Sequence, residues 1–147
     1  MLDEYIDVNG VKAEIMHFNT EVSNSQQAAT VETTFPGVKT ILFAHEKGFV
    51  LAILEGTKKA DTQAIATILN TTNVRLATPA EVENVTGYEV GGVPPISIYG
   101  TQTLIDENVM KHAWVIAGGG DKFSLMKIQT RDILEHAYEA QVVKIAH

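Results

Sequence analysis

"GVKTILFAHEKGFVLAIL", residues 37–54, holds two apolar runs on either side of Glu46-Lys47-Gly48. β-Branched and aromatic residues fill both runs, and the break between them is short, polar and ends in glycine. They therefore read as two strands paired in a hairpin. Side chains alternate across a strand, so Lys39, Ile41 and Phe43 share one face, and Val38, Thr40 and Leu42 share the other. Both faces are apolar further along, which marks a central strand. A lysine on such a face is unusual. Either Lys39 lies at the strand's end and snorkels to water, or its ammonium sits at the mouth of a pocket, where it can hold an anionic or carbonyl oxygen.

Outward from the hairpin, short elements of both kinds alternate. "LDEYIDVNG" predicts a first helix with Leu2, Tyr5 and Ile6 on one side and Gly10 as a left-handed cap. "VKAEIMHF" predicts a strand with Val11, Ala13, Ile15 and His17 on one face. "SNSQQAATVE", residues 23–32, predicts a small-residue helix with Ser and Asn cap candidates. "ADTQAIATILN" predicts a helix capped by Asp61 or Thr62, burying Ile65, Ile68 and Leu69. "NVRLA" predicts a short strand, and "TPAEVENV" a helix capped by Thr78 with Pro79 at its first position. "SIYGTQTLID", "AWVIAGGG" and "FSLMKI" predict strands or strand pieces. "TRDILEHAYE" predicts a helix capped by Thr130, and "AQVVKIA" a terminal strand. The expected class is α+β, with a mixed, largely antiparallel sheet and flanking helices.

Composition fits one domain over residues 1–147, with 45% hydrophobic and 20% charged residues. The net charge of −7 argues against broad binding to duplex DNA, which needs a basic face. The chain has no cysteine, so disulfides, thiolate metal sites and cysteine nucleophiles are excluded. "MLDEYID" is acidic rather than basic, unlike a signal peptide, and no apolar run nears the ~18 residues of a membrane span. A soluble, cytoplasmic protein is expected. The five histidines show no close pair of the kind that holds a metal, and no P-loop, dinucleotide fingerprint or G-x-S-x-G elbow occurs. Glu81 and Glu83 lie on a predicted helix, where solvation is their expected role.

Two glycine-rich stretches remain. "TGYEVGGVPPIS", residues 86–97, carries three glycines and two prolines, which no regular element tolerates. It is either a plain turn or a backbone shaped to hold a ligand, with rigid N–H groups aimed at a developing oxyanion. Gly118-Gly119-Gly120-Asp121 is either a turn between two strands or an anion nest.

The order of these features resembles the family of free-standing prolyl-tRNA editing domains, also called the YbaK/ProX or aminoacyl-tRNA deacylase family. The similarity runs over nearly the whole chain, and its most specific parts are "VKT" and "TGYEVGG-x-x-P". The resemblance implies a mixed, partly closed sheet with a cleft on one side. It implies hydrolysis of the ester joining a wrong amino acid to the 3′ adenosine of a tRNA, by water and without metal or cofactor.

On the same resemblance, Lys39 matches the family's cleft lysine, with Thr40 beside it in the "KT" strand. Gly91, Gly92, Val93, Pro94 and Pro95 match its G-x-x-x-P loop, whose amides contact the aminoacyl carbonyl and the ribose. Gly118, Gly119 and Gly120 match a further wall, and Phe18 an aromatic near the end of the first strand. Related members carry an aspartate or histidine shortly after the late glycines. This chain departs there, with Phe123, Ser124 or Leu125 in that place. The implied partner is the aminoacyl 3′ end of tRNA, and Lys111, Lys122, Lys127 and Arg131 are candidates to face the acceptor stem. A second reading keeps the fold and the pocket for binding alone, as a non-catalytic module for aminoacyl-adenosine, a nucleotide or a protein.

Overall fold

The computed structural model describes residues 1–22 and 35–147. The helix expected over residues 23–32 lies outside the described residues. The hairpin expected over residues 37–54 is present. β2 (Val38–His45) and β3 (Gly48–Glu55) pair antiparallel from Val38 opposite Glu55 to His45 opposite Gly48. They form the centre of a five-stranded sheet ordered β4-β2-β3-β5-β8, with β4 (Arg75–Leu76), β5 (Thr103–Asp106) and β8 (Gln141–Val143). β5 runs parallel to both β3 and β8, which makes the sheet mixed. A second, antiparallel sheet is ordered β1-β7-β6, from β1 (Glu14–His17), β7 (Ser124–Gln129) and β6 (Trp114–Gly118).

Alternation along β2 and β3 gives the larger sheet two buried faces. Leu42, Leu51, Ile53 and Ile105 face the main core, which also holds Leu2, Tyr88, Val93, Ile96, Val115, Met126 and Ile128. Phe43, Val50, Ala52, Leu54 and Leu104 face the other way, against Ile65 and Ile145. Burying both faces of a strand stabilises it by ~1.5–3 kcal/mol per large apolar side chain.

Four helices cover the sheets among the described residues: α1 (Leu2–Asn9), α2 (Thr62–Leu69), α3 (Pro79–Thr86) and α4 (Thr130–His136). Gly10 ends α1 in the left-handed region, and Asp61 caps α2 by accepting from the Ala64 N–H. Thr78 and Glu81 form a reciprocal capping box on α3.

Several expectations need correction. Thr130 is the first residue of α4, not its cap: Gln129 holds the cap position, and the Thr130 hydroxyl donates to the His112 carbonyl at 2.6 Å. Ile68 is 36% exposed, because only Ile65 of α2 points squarely at the sheet. The strand over residues 11–18 shrinks to Glu14–His17, and His17 turns out to solvent while Val11 is buried outside the strand. "SIYG" forms bends, with Ser97 and Gly100 at positive φ, so only Thr103–Asp106 is strand there.

The two sheets do not close into a barrel. One parallel bridge, Gly37 to Ile116, joins the start of β2 to β6, reinforced by the Ile116 N–H donating to the Pro36 carbonyl at 2.9 Å. β4 pairs only with Phe43 and Ala44, at the far end of β2. Among the described residues the Val38–Thr40 end of β2 therefore has no strand partner on that edge, and a gap opens beside it.

Candidate functional site

That gap is a cleft of about 370 Å³. One wall is Gly37, Val38, Lys39 and Thr40 from β2, and the opposite wall is Ile116, Ala117 and Gly118 from β6. Val90, Gly91 and Val93 of the glycine–proline loop, with Gly56, Val22 and Leu125, complete it. Lys39, Thr40, Gly91, Val93 and Gly118 thus meet at one place. Among the described residues lining the cleft, Lys39 is the only charged one. Burial pushes the Lys39 ammonium below its ordinary value of 10.5, because the half-buried amine loses part of its hydration.

The glycine–proline loop is held from both ends. α3 stops at Gly87, which takes φ 79° as a left-handed cap. The Thr86 hydroxyl donates to the Val82 carbonyl at 2.7 Å and accepts from the Tyr88 N–H at 3.1 Å. Tyr88 is buried, and its hydroxyl donates to Ser97 Oγ at 3.0 Å, tying the two ends of the loop together. Pro94 and Pro95 are buried behind the cleft wall.

Gly92 has a different part. Its N–H donates to the Glu89 carbonyl at 3.0 Å, and its carbonyl accepts from the Gly120 N–H at 2.9 Å. A Cβ on Gly92 would run into the backbone of Asp121, and a Cβ on Gly118 into the Val93 carbonyl. The two glycine-rich loops are packed backbone against backbone, which only residues without side chains allow. The N–H groups of Gly91 and Val93 have no acceptor among the described residues.

The remaining predicted residues lie around the cleft rather than in its lining. Phe18 packs on Val22, Ile116 and Leu125, behind the wall. Gly119 donates to the Ser124 carbonyl at 3.1 Å, turning the chain from β6 into β7. Gly119 and Gly120 line a separate surface hollow with His17, Tyr88 and Asp121. Ser124 is 1% exposed, and its Oγ lies 2.7 Å from His17 Nδ1. Of the three residues standing where relatives carry aspartate or histidine, Leu125 lines the cleft.

Sequence reasoning missed Val38, Gly56, Val90, Ile116 and Ala117 as cleft residues. An aliphatic run in a strand carries the same signal whether it faces a core or a pocket. It also missed the ion-pair geometry of Glu55 and His112, 2.9 Å apart, which ties the end of β3 to the 3₁₀ turn before β6.

Comparison with known proteins gives this cleft a context. Residues 20–136 match the model of the aminoacyl-tRNA editing domain family. The chain is 28% identical over 104 residues to a proline–tRNA ligase of Nitratidesulfovibrio vulgaris, and 32% identical over 73 residues to that of Geobacillus thermodenitrificans. These spans are 69% and 50% of this chain but 18% and 13% of the ligases, so it corresponds to under a fifth of either enzyme. A solved structure proposed to be a trans-editing enzyme for prolyl tRNA synthetase superposes with a TM-score of 0.89 at 25% identity, covering 99% of this chain and 94% of that one. With four-fifths of its length matched by the family model and almost all of it by the fold, this chain belongs to the aminoacyl-tRNA editing domain family.

Proposed function

We propose that this protein is a trans-acting deacylase that hydrolyses the ester of a mischarged tRNA. The observation that carries the reading is the convergence of Lys39, Gly91, Val93 and Gly118 on one cleft. An aminoacyl ester is already activated, so its hydrolysis needs a held carbonyl, a positioned water and donors for the developing oxyanion. Lys39 supplies the positive charge, the only one among the described lining residues, and anchors the carbonyl or the terminal nucleotide. The Gly91 and Val93 N–H groups supply oxyanion donors on a loop already tied at Thr86, Tyr88 and Ser97. Gly92 stiffens that wall rather than donating, since its N–H is used within the turn. The close approach of the Gly118 and Val93 backbones leaves no room for a side chain at position 118.

The test is a panel of mischarged tRNAs incubated with wild type and with Lys39→Ala. The expected result is release of at least one amino acid, and a fall of about 10²–10³ in rate for the variant, as for loss of one transition-state donor. No release from any substrate, or equal rates for the two proteins, overturns the reading.

A further inference from the structure

The Thr40 hydroxyl is the polar side-chain group in the cleft that nothing so far has used. Thr40 lines the cleft on the β2 wall, and its Oγ1 is buried with no hydrogen-bond partner among the described residues. It stands on the core-facing side of the strand, across from Ile53, which is fully buried. A valine has the same shape and no hydroxyl to desolvate, so it would suit the fold better at this position. A threonine there costs stability and returns no hydrogen bond to any described residue.

The geometry offers the hydroxyl a use. Threonine exchanges its hydroxyl and methyl positions by one rotation about χ1, and strands accept more than one χ1 well. Because Oγ1 holds no partner among the described residues, that rotation breaks no hydrogen bond to them. Lys39 apart, the described side chains that line the cleft with it are apolar: Val22, Val38, Val93, Ile116 and Leu125 among them. A cleft of about 370 Å³ that must admit an ester and part of a ribose leaves room for a small side chain only.

Resting on the deacylase reading of this cleft, we propose that Thr40 is a specificity-determining residue. Its hydroxyl, turned into the cleft, hydrogen-bonds a small hydroxylated side chain on the aminoacyl group, so a seryl group is taken in preference to an alanyl group. A site built to bond a hydroxyl discriminates against the analogue that lacks it, because the site's own polar group then stays buried and unpaired. Thr40 touches the side chain of the bound group and takes no part in the attack on the ester.

The test uses two non-hydrolysable probes, the 3′-seryl and 3′-alanyl amides of 3′-amino-3′-deoxyadenosine. Each is titrated against wild type, Thr40→Val and Thr40→Ser. Wild type is expected to bind the seryl probe about tenfold more tightly, the ratio one neutral hydrogen bond supports. Thr40→Val should collapse that ratio to near one, and Thr40→Ser should keep it. Thermal melting guards against misfolding, and the valine variant should melt no lower than wild type. Equal binding of the two probes by wild type, binding of neither, or a ratio that survives Thr40→Val overturns the proposal. Hydrolysis of the corresponding esters on tRNA is read separately. Probe selection without ester hydrolysis sinks the deacylase reading and leaves Thr40's role standing. Hydrolysis with no seryl preference does the reverse.

Discussion

Lys39 carries opposite demands at the scale of a single residue. The proposed chemistry needs a cation in the cleft, yet burial strips water from the ammonium and lowers its pKa. The folded protein therefore releases the Lys39 proton at lower pH than the unfolded chain does. Between the two values the unfolded chain binds more protons, so this residue's contribution to stability rises with pH across that window. Below the window the full cost of holding a poorly hydrated charge is present. Lys39→Met keeps the aliphatic stem and removes the charge. It should melt at the same temperature as wild type or higher at neutral pH, with the difference shrinking as buffers approach pH 10.5, while hydrolysis is lost. Melting curves of both proteins across alkaline buffers check this. A variant that melts lower than wild type at neutral pH would show that Lys39 supports the fold instead.

At the scale of elements, α3 aims the glycine–proline loop. Its first turn is fixed by the Thr78–Glu81 capping box, and Glu81 also takes both guanidinium nitrogens of Arg75, at 2.8 and 3.0 Å. The hydrogen bond and charge of Arg75, with the N–H of Thr78, hold the Glu81 carboxyl at about 2 instead of 4.5. A lowered carboxylate pKa means that this support is complete above pH 4.5 and is lost as pH falls towards 2. Thr78→Ala should lower stability by about 1 kcal/mol at neutral pH, the usual worth of a lost cap. Glu81→Gln should flatten the acid limb of the stability profile between those two pH values. Denaturant titrations at several pH values read both effects. The cap itself was legible in the sequence, because "TPAE" puts threonine, proline and glutamate at the spacing a helix start requires. Thr130 was not. It also stands at a helix start, but as the first helical residue, and its hydroxyl is drawn to the His112 carbonyl, a tertiary contact that no local pattern announces. Likewise "SIYG" has the composition of a strand, and the ends of the Tyr88–Ser97 loop, tied by one side-chain hydrogen bond, turn the chain away instead.

For the whole molecule, the cleft exists because one sheet fails to close on the other. The strands flanking it were readable from alternation. The gap was not, since it depends on β4 being only two residues long and on a single bridge at Gly37. Residue order located Lys39, Thr40 and the glycine–proline loop, whereas the separation of a pocket wall from a core face needed the third dimension. The same whole-molecule view constrains how a nucleic acid can be held. A net charge of −7 argues against a grip on tRNA through a broad basic face. If only the single-stranded 3′ end is bound, through about two or three phosphates, log kcat/KM should fall with log salt at a slope of about −1.4 to −2. An acceptor-end minihelix should then be deacylated about as well as full-length tRNA, because the rest of the molecule adds few contacts. Initial rates on both substrates across a salt series measure this. A slope steeper than about −5 would require many neutralised phosphates. Together with a strong preference for full-length tRNA, it would place the nucleic-acid interface well beyond the cleft, with Lys111, Lys122, Lys127 and Arg131 the first cations to replace.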